Sequence, residues 1–439
     1  MNLIQGSVPR HFVKYLIPSI ASMLGLSLYI LVDTMFIGRG IGIDGLTALN
    51  ISLPVFSAFL CLGHLLNMGG STAYAVSIGR QDKRQAQEIF TLCLIMAIIF
   101  GFLFTSITIY FLDEICLFLG ASESILGMVK DYTRVLILFS SVFIVNSVFF
   151  GFIRNDHSPR LCMVAGLTGN IINIILDYIF IFKFGWGMLG AVYATVISPI
   201  CSILIMSTHF LKEDNNLKIV FPTMVMQKLT RVFKNGLPSM LDSIAPGVIV
   251  YFFNITLLKL SGNGGVAAYS VIANIAFVGN VLFMGTAQAM QPISSQNYGA
   301  EKHVRVKKAF KLAITTALIF GFLKSIVILS FPESIVKAFN SESLDFIKVA
   351  SKGLMIYYSA MPFVALNIVS VIFLQSVEKS FSAIFISLSR TIVLILLGLA
   401  IFPRFFGVTG VWMIVPFAEV ITMIIAISYI HYSRILSTK

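Results

Sequence analysis

The sequence predicts an all-α integral membrane protein of twelve transmembrane helices arranged as two pseudo-symmetric six-helix bundles. Three observations predict it: scarce charge, apolar runs long enough to cross a bilayer, and a repeat at a fixed offset of 220 residues. Only 11% of the residues are charged and 57% are hydrophobic, where a soluble chain carries roughly 25% charged residues. So little charge cannot cover a water-soluble surface. Runs of about 20 residues match a hydrocarbon core of about 30 Å at about 1.5 Å per residue.

The first span opens at MNLIQGSVPRHFVKYLIPSIASML, a short basic stretch leading into a long apolar run without the compact core and small-residue cleavage site of a signal peptide. It is expected to be retained. The twelve apolar runs lie near residues 12–36, 46–78, 89–112, 132–154, 160–182, 189–211, 235–259, 266–291, 309–330, 351–375, 381–402 and 409–431. Sorted by the nearer helix end, 21 of the 31 Lys and Arg residues fall on the side of the termini and 10 on the other. The positive-inside rule therefore places both termini in the cytoplasm. The formal charge of +12 is distributed in these short clusters and not along one soluble face, so it reads as a topology signal and no nucleic-acid partner is expected. Cys61, Cys93, Cys116, Cys162 and Cys201 are far apart, lack metal-ligand spacing and read as packing residues.

The most polar long connection is KEDNNLKIVFPTMVMQKLTRVFK, near the chain's midpoint. It divides the chain into an amino-terminal six-helix lobe over 1–211, a cytoplasmic linker over 212–234 and a carboxy-terminal six-helix lobe over 235–439. A shift of 220 residues lays Pro18-Ser19 on Pro238-Ser239, Gly79 on Gly299, and Gly187 and Gly190 on Gly407 and Gly410. Two parallel six-helix repeats about an axis along the membrane normal, sharing a midplane cavity, account for that register.

Ionisable groups inside spans are expensive, so each invites a functional reading. Asp33, near the outer end of the first span, either pairs with Arg39 at the water interface or serves a site. Asp177 lies in an apolar run with Asn173 at i−4, so the two share a helix face. Thr195 in the next span adds a hydroxyl, and a carboxylate, an amide and a hydroxyl suit a hard cation or a shared proton. At the repeat offset these three fall on Val393, Leu397 and Val415. An ion site is therefore expected in the first lobe. In the second half Glu419 is the deepest acid, with Arg390 or Lys324 as possible partners, and Asp242 follows Pro238 by one turn; with Asn254 these are the candidates for handling cargo or protons there. His64 reads as a satisfied histidine, and methionines such as Met68 and Met361 as packing or as lining of an adaptable cavity. Pro238 and Pro246 mark the seventh helix as a candidate moving element. Asn155-Asp156-His157 stands before Ser158-Pro159 without a nucleophile elbow or metal motif, so no enzyme is expected.

Together, VDTMFIGR in the first span, SIGRQDKRQAQ with its echo SQNYGAEKHVRV, FIRNDHSPR, NIINIILDYIFIF and GMLGAVYAT resemble the multidrug and toxic compound extrusion family, the MATE transporters, and within it the MepA-like bacterial branch. The resemblance covers essentially the whole chain. It implies a V-shaped pair of six-helix bundles in a bacterial plasma membrane that exports bulky organic cations against inward flow of sodium or protons. The family's amino-lobe cation site falls on Asp33, Asn173, Asp177 and Thr195, with sodium as the metal it would hold. In place of the paired carboxylates some branches carry in the seventh and tenth spans, this chain has Asn254 in the seventh and no acid in the tenth. The expected partners are small cationic drugs and the bilayer, the expected form is a monomer, and no cofactor is expected beyond the coupling ion. A lipid-linked oligosaccharide flippase is the alternative, but it needs cationic residues to hold pyrophosphate, and the mid-span acids here favour a cationic cargo.

Overall fold

A computed structural model describes residues 3–338 and 344–432. The chain ends, on which the expectation of two cytoplasmic termini falls, lie outside these residues. Helices make up almost all of the rest. They are α1 (Val8–Gly40), α2 (Ile43–Gly79), α3 (Lys83–Tyr110), α4 (Leu112–Phe118), α5 (Leu126–Leu138), α6 (Ser140–Asn155), α7 (Pro159–Asp177), α8 (Gly187–Ser207), α9 (Val225–Gly299), α10 (His303–Ser330), α11 (Pro332–Lys337), α12 (Leu344–Tyr358), α13 (Met361–Ser376), α14 (Ser380–Leu388) and α15 (Leu394–Tyr432). Local chemistry sets several of their starts. Asp82 caps α3 by accepting from the Gln85 N–H at 2.9 Å, and Pro159 opens α7 at a position where its missing N–H costs nothing.

Eight helical stretches are long and apolar enough to cross a membrane, and two bent pairs, α5 with α6 at 49° and α12 with α13 at 44°, each qualify as one broken span. Two of the eight are hairpins. The 75-residue α9 is interrupted by non-helical Gly262, and α15 by Gly407. In a straight helix Phe253 and Tyr269 would lie about 24 Å apart, and Phe402 and Phe417 about 22 Å. Their ring centroids are 5.0 Å apart in both cases, so the chain folds back at each glycine. Counting each hairpin as two crossings and each bent pair as one gives the twelve expected spans among the described residues.

The backbone repeats with the sequence. Left-handed Gly42 (φ 93°) has its counterpart 220 residues on in Gly262 (φ 61°), Gln81 (64°) in Glu301 (57°), and Gly187 (55°) in Gly407 (56°). Glycine is favoured at the hairpin positions because the left-handed region carries no Cβ penalty there. The bends between α5 and α6 and between α12 and α13 fall at the same offset.

Two compact units emerge, one built from Ile17–Ser243 and the other from Leu3–Leu16 together with the chain from Ile244 onward. Helices α1 and α9 thus each contribute to both. Residues 212–224 have no α-helix and are fastened to the first unit. Glu88 on α3, only 3% exposed, accepts from Lys228 Nζ, from Arg84 Nε at 2.8 Å and from the Thr223 N–H at 3.2 Å. The Thr91 hydroxyl accepts from the Val220 N–H at 3.1 Å, and Arg84 donates to the Phe221 carbonyl at 3.1 Å. Beyond α6, Asp156 accepts from Tyr74 Oη and Asn216 Nδ2, both at 2.9 Å, and from His209 Nε2 at 2.8 Å. In the second unit Arg305 donates to the carbonyls of Leu3, Gln5 and Gly6 at 2.9, 3.2 and 2.7 Å.

Burial alone would raise the Asp156 carboxyl, yet His209, Asn216 and Tyr74 together hold it below the ordinary carboxylate range. A carboxyl depressed in this way gives its full stabilisation above the unfolded-state value of about 3.9 and loses it as pH falls through the lower folded value. Limited proteolysis within residues 212–224 is therefore expected to stay flat from about pH 8 to about pH 5, whereas Asp156→Asn should be cleaved faster throughout that range.

Close helix contact depends on two glycines. A Cβ on Gly236 would lie 2.1 Å from the Leu65 carbonyl oxygen, and one on Gly69 would lie 2.1 Å from that of Val232. Backbone meets backbone there, the small-residue contact that membrane helices use when lipid offers no hydrophobic drive. Gly236→Ala must separate α2 from α9 at a cost of about 1–3 kcal/mol. The expected result is a lower apparent melting temperature in detergent than wild type. Gly127→Ala, with nothing within 4 Å of its Cβ, should be unchanged.

Candidate ion-coupling site

Helix α7 carries Asn173 and Asp177 on one face because they are four residues apart, and both are 0% exposed. At Asp177 the helix passes into a π-helical turn, Tyr178–Lys183. Such turns widen the backbone and frequently mark functional sites. Helix α8 brings up Thr195, whose hydroxyl donates to the Ala191 carbonyl at 3.0 Å. Oriented so that oxygen meets donor and nitrogen meets acceptor, the Asn173 amide donates to Asp177 Oδ2 at 3.0 Å and accepts from the Thr195 N–H at 3.2 Å.

Asp33 on α1 is turned inward and buried, and its carboxyl lies within hydrogen-bonding reach of Asp177. Arg39 is exposed and forms no ion pair with it among the described residues, so the interface pairing weighed from the sequence is not the arrangement found. The Oδ1 atoms of Asp33 and Asp177 are buried without a hydrogen-bond partner. Two bare carboxylates at this distance repel strongly in a low dielectric, and a shared proton or a small hard cation removes the conflict. All four residues expected from the sequence therefore meet in one place.

Two tyrosines complete the surroundings. Tyr29, one turn before Asp33 on α1, and Tyr132 on α5 both lie within electrostatic range of the two aspartates. The i−4 spacing of Tyr29 from Asp33 was a usable signal. For Tyr132 no local pattern exists, because only the tertiary approach of α5 to α8 sets its position.

The second-half candidates do not join a comparable acid pair. Glu419 is 5% exposed and ion-paired with Arg390, Nε to Oε1 at 2.7 Å. Asp242 is half-buried on α9 in the first unit, and Asn254 is half-buried in the second, with its Oδ1 lacking a partner. Lys324 holds its ammonium over the rings of Tyr358 at 5.0 Å and Phe283 at 5.7 Å. His64 Nδ1 bonds Ser243 Oγ at 2.6 Å. All five cysteines are free thiols, four of them buried. No cluster of three or more His, Cys, Asp or Glu side chains suited to a metal occurs among the described residues.

The MatE family model matches residues 18–179 and again residues 238–400, the two matches starting at the repeat offset found in the sequence. The chain is 25% identical over 443 residues to the multidrug export protein MepA of Staphylococcus saprophyticus, covering 98% of this chain and 95% of that one. It is 25% identical over 438 residues, with the same coverages, to MepA of Staphylococcus haemolyticus. Among solved structures, an outward-facing multidrug resistance MATE family transporter of the MOP superfamily aligns with a TM-score of 0.92 at 25% identity, over 99% of this chain and 98% of that one. A MOP superfamily transporter from Pyrococcus furiosus, described as having a binding pocket of reverse polarity that suggests a different function, aligns with the same score, identity and coverage. With twelve spans in a two-fold repeat and the family model matched along both halves, the chain belongs to the MatE family of membrane transporters, the multidrug and toxic compound extrusion proteins.

Proposed function

We propose that this protein is a secondary antiporter of the bacterial plasma membrane that exports bulky organic cations in exchange for sodium ions or protons. One observation carries the reading: two buried carboxyls, Asp33 and Asp177, meet with no basic side chain paired to either among the described residues. Binding of an ion there removes a repulsion. If α1 moves Asp33 relative to Asp177, the ion prefers one conformation, which is the condition for coupling an ion gradient to transport. Asn173 and Thr195 supply the neutral oxygens and fix the Asp177 carboxylate. The multidrug export named for the staphylococcal relatives supports cationic drugs as the cargo, and no cofactor is needed beyond the coupling ion.

The flippase alternative is weaker. Its pyrophosphate cargo calls for several cationic groups facing a cavity, whereas Arg390 is engaged by Glu419 and Lys324 is held over two rings. The test is efflux of a fluorescent organic cation from proteoliposomes, with sodium and pH gradients imposed separately. One of the gradients should drive efflux; failure of both, with protein correctly inserted, rejects antiport.

The same reading sets both termini and the linker in the cytoplasm, since the basic residues concentrate there. Single cysteines placed at exposed Lys218 and exposed Ser122 in a cysteine-free background should label from opposite sides of the membrane. Labelling of both from one side would overturn the orientation and the span count together.

A further inference from the structure

In the second unit the ion pair of Arg390 and Glu419 lies on the stretch from α14 to α15, the elements that correspond to α7 and α8 at the 220-residue offset. The pair is not a copy of the first unit's set. Arg390 falls on Asn170 and Glu419 on Pro199, each about one helical turn away from the Asn173 and Thr195 positions. The chemistry differs too. Arg390 Nε donates to Glu419 Oε1 at 2.7 Å, while Asn367 Nδ2 donates to Glu419 Oε2 at 2.7 Å and to the Glu419 carbonyl at 2.8 Å. The carboxylate is held in place by an amide and neutralised by a guanidinium of the chain itself.

This node is not sealed. The side chains of Arg390 and Glu419 keep 15% and 7% exposure, and half-buried Tyr357 on α12 lies within electrostatic range of both. A fixed carboxylate with a half-buried tyrosine in its electrostatic range offers the two elements that hold organic cations, an ion-pairing charge and an aromatic ring. A guanidinium already occupying it is an organic cation in miniature. We propose that Glu419 and Tyr357 form a cargo site for guanidinium or substituted-ammonium groups, which Arg390 fills between transport events and which the cargo takes by displacing Arg390. The proposal rests on the reading of the protein as an exporter of organic cations. It gives the second unit the cargo step, where the first unit has the ion step.

The test uses full-length protein in nanodiscs and ethidium binding followed by fluorescence. Arg390→Gln removes the competitor and should tighten binding by about tenfold to a hundredfold, the worth of one hydrogen bond to a charged group. Glu419→Gln should weaken it by a similar factor, and Arg390→Lys, a competitor with fewer donors, should fall between wild type and Arg390→Gln. The exchanged variant Arg390→Glu with Glu419→Arg keeps an ion pair. If the pair only stabilises the fold, Arg390→Gln and Glu419→Gln will lose thermal stability and binding alike, and the exchange will restore both, which overturns the proposal. Opposite shifts in affinity for Arg390→Gln and Glu419→Gln support it. If wild type exports ethidium while every variant binds it as wild type does, the cargo site fails and antiport stands; if wild type neither binds nor exports any organic cation, antiport itself fails.

Discussion

Asp177→Asn is expected to abolish gradient-driven efflux, lowering it by about a hundredfold or to background, with expression and passive drug binding close to wild type. The magnitude follows from the role proposed. Coupling free energies of about 1–3 kcal/mol correspond to roughly 5- to 150-fold, and here the substitution removes one of the two charges whose repulsion creates the ion's preference. The asparagine is nearly the same size and can still bond Asn173, so the helices have no reason to repack. Asp33→Asn should act almost identically, and the double variant should be no worse than either single, because residues that act as one unit are not additive. The measurement is initial efflux rate in proteoliposomes beside equilibrium binding without a gradient. Full gradient-driven transport by the Asp177→Asn protein would refute the site.

Glu88→Gln is expected to destabilise the protein by about 3–5 kcal/mol, the usual cost of leaving one buried charge without its partner. The charge left behind is Lys228, whose side chain is 10% exposed. Arg84 pairs with the same carboxylate but is 61% exposed, so Arg84→Gln should cost only about 0–1 kcal/mol. The double variant Glu88→Gln with Lys228→Met should be milder than Glu88→Gln alone, since no bare charge remains. Yield of folded protein and thermal stability in detergent separate these cases. Equal losses in all three would mean that the linker is fastened by its backbone contacts and not by this ion pair.

Much of this architecture was legible in the sequence because the bilayer simplifies the code. Apolar runs had to be spans, and the repeat offset located the hairpin at Gly407 through its match with Gly187. The meeting of the candidate residues was legible for a related reason: Asn173 and Asp177 are polar residues in a run where nothing else excuses them, and their spacing puts them on one face. Other features were hidden because tertiary contacts create them. The bend after Leu138 follows no proline, the π-helical turn after Asp177 has no composition signal, and Glu88 reads as an ordinary residue of a helix start until the linker folds onto it. Helix α9 begins at Val225, upstream of the expected start near residue 235, because its polar first turns lie against α2 and α3 and needed no apolar run to be helical. Arg390 and Lys324 were equal candidates for Glu419 by sequence. Distance settles that choice, placing Arg390 on the acid and Lys324 on the rings of Phe283 and Tyr358.

The division of α1 between the two units has a consequence for biogenesis. Leu3–Leu16 belong with the chain from Ile244 onward, where Arg305 grips the carbonyls of Leu3, Gln5 and Gly6, and Asn297 and Lys302 those of Leu3 and Ile4. When the ribosome releases the first helix into the membrane, the residues that will hold its leading end have not been made, and they arrive only after nearly three hundred more have been added. The nascent first half must therefore wait in the bilayer with its opening segment undocked. A transcript ending at the linker would yield a bundle that inserts but keeps that segment loose, where a chaperone or protease can find it.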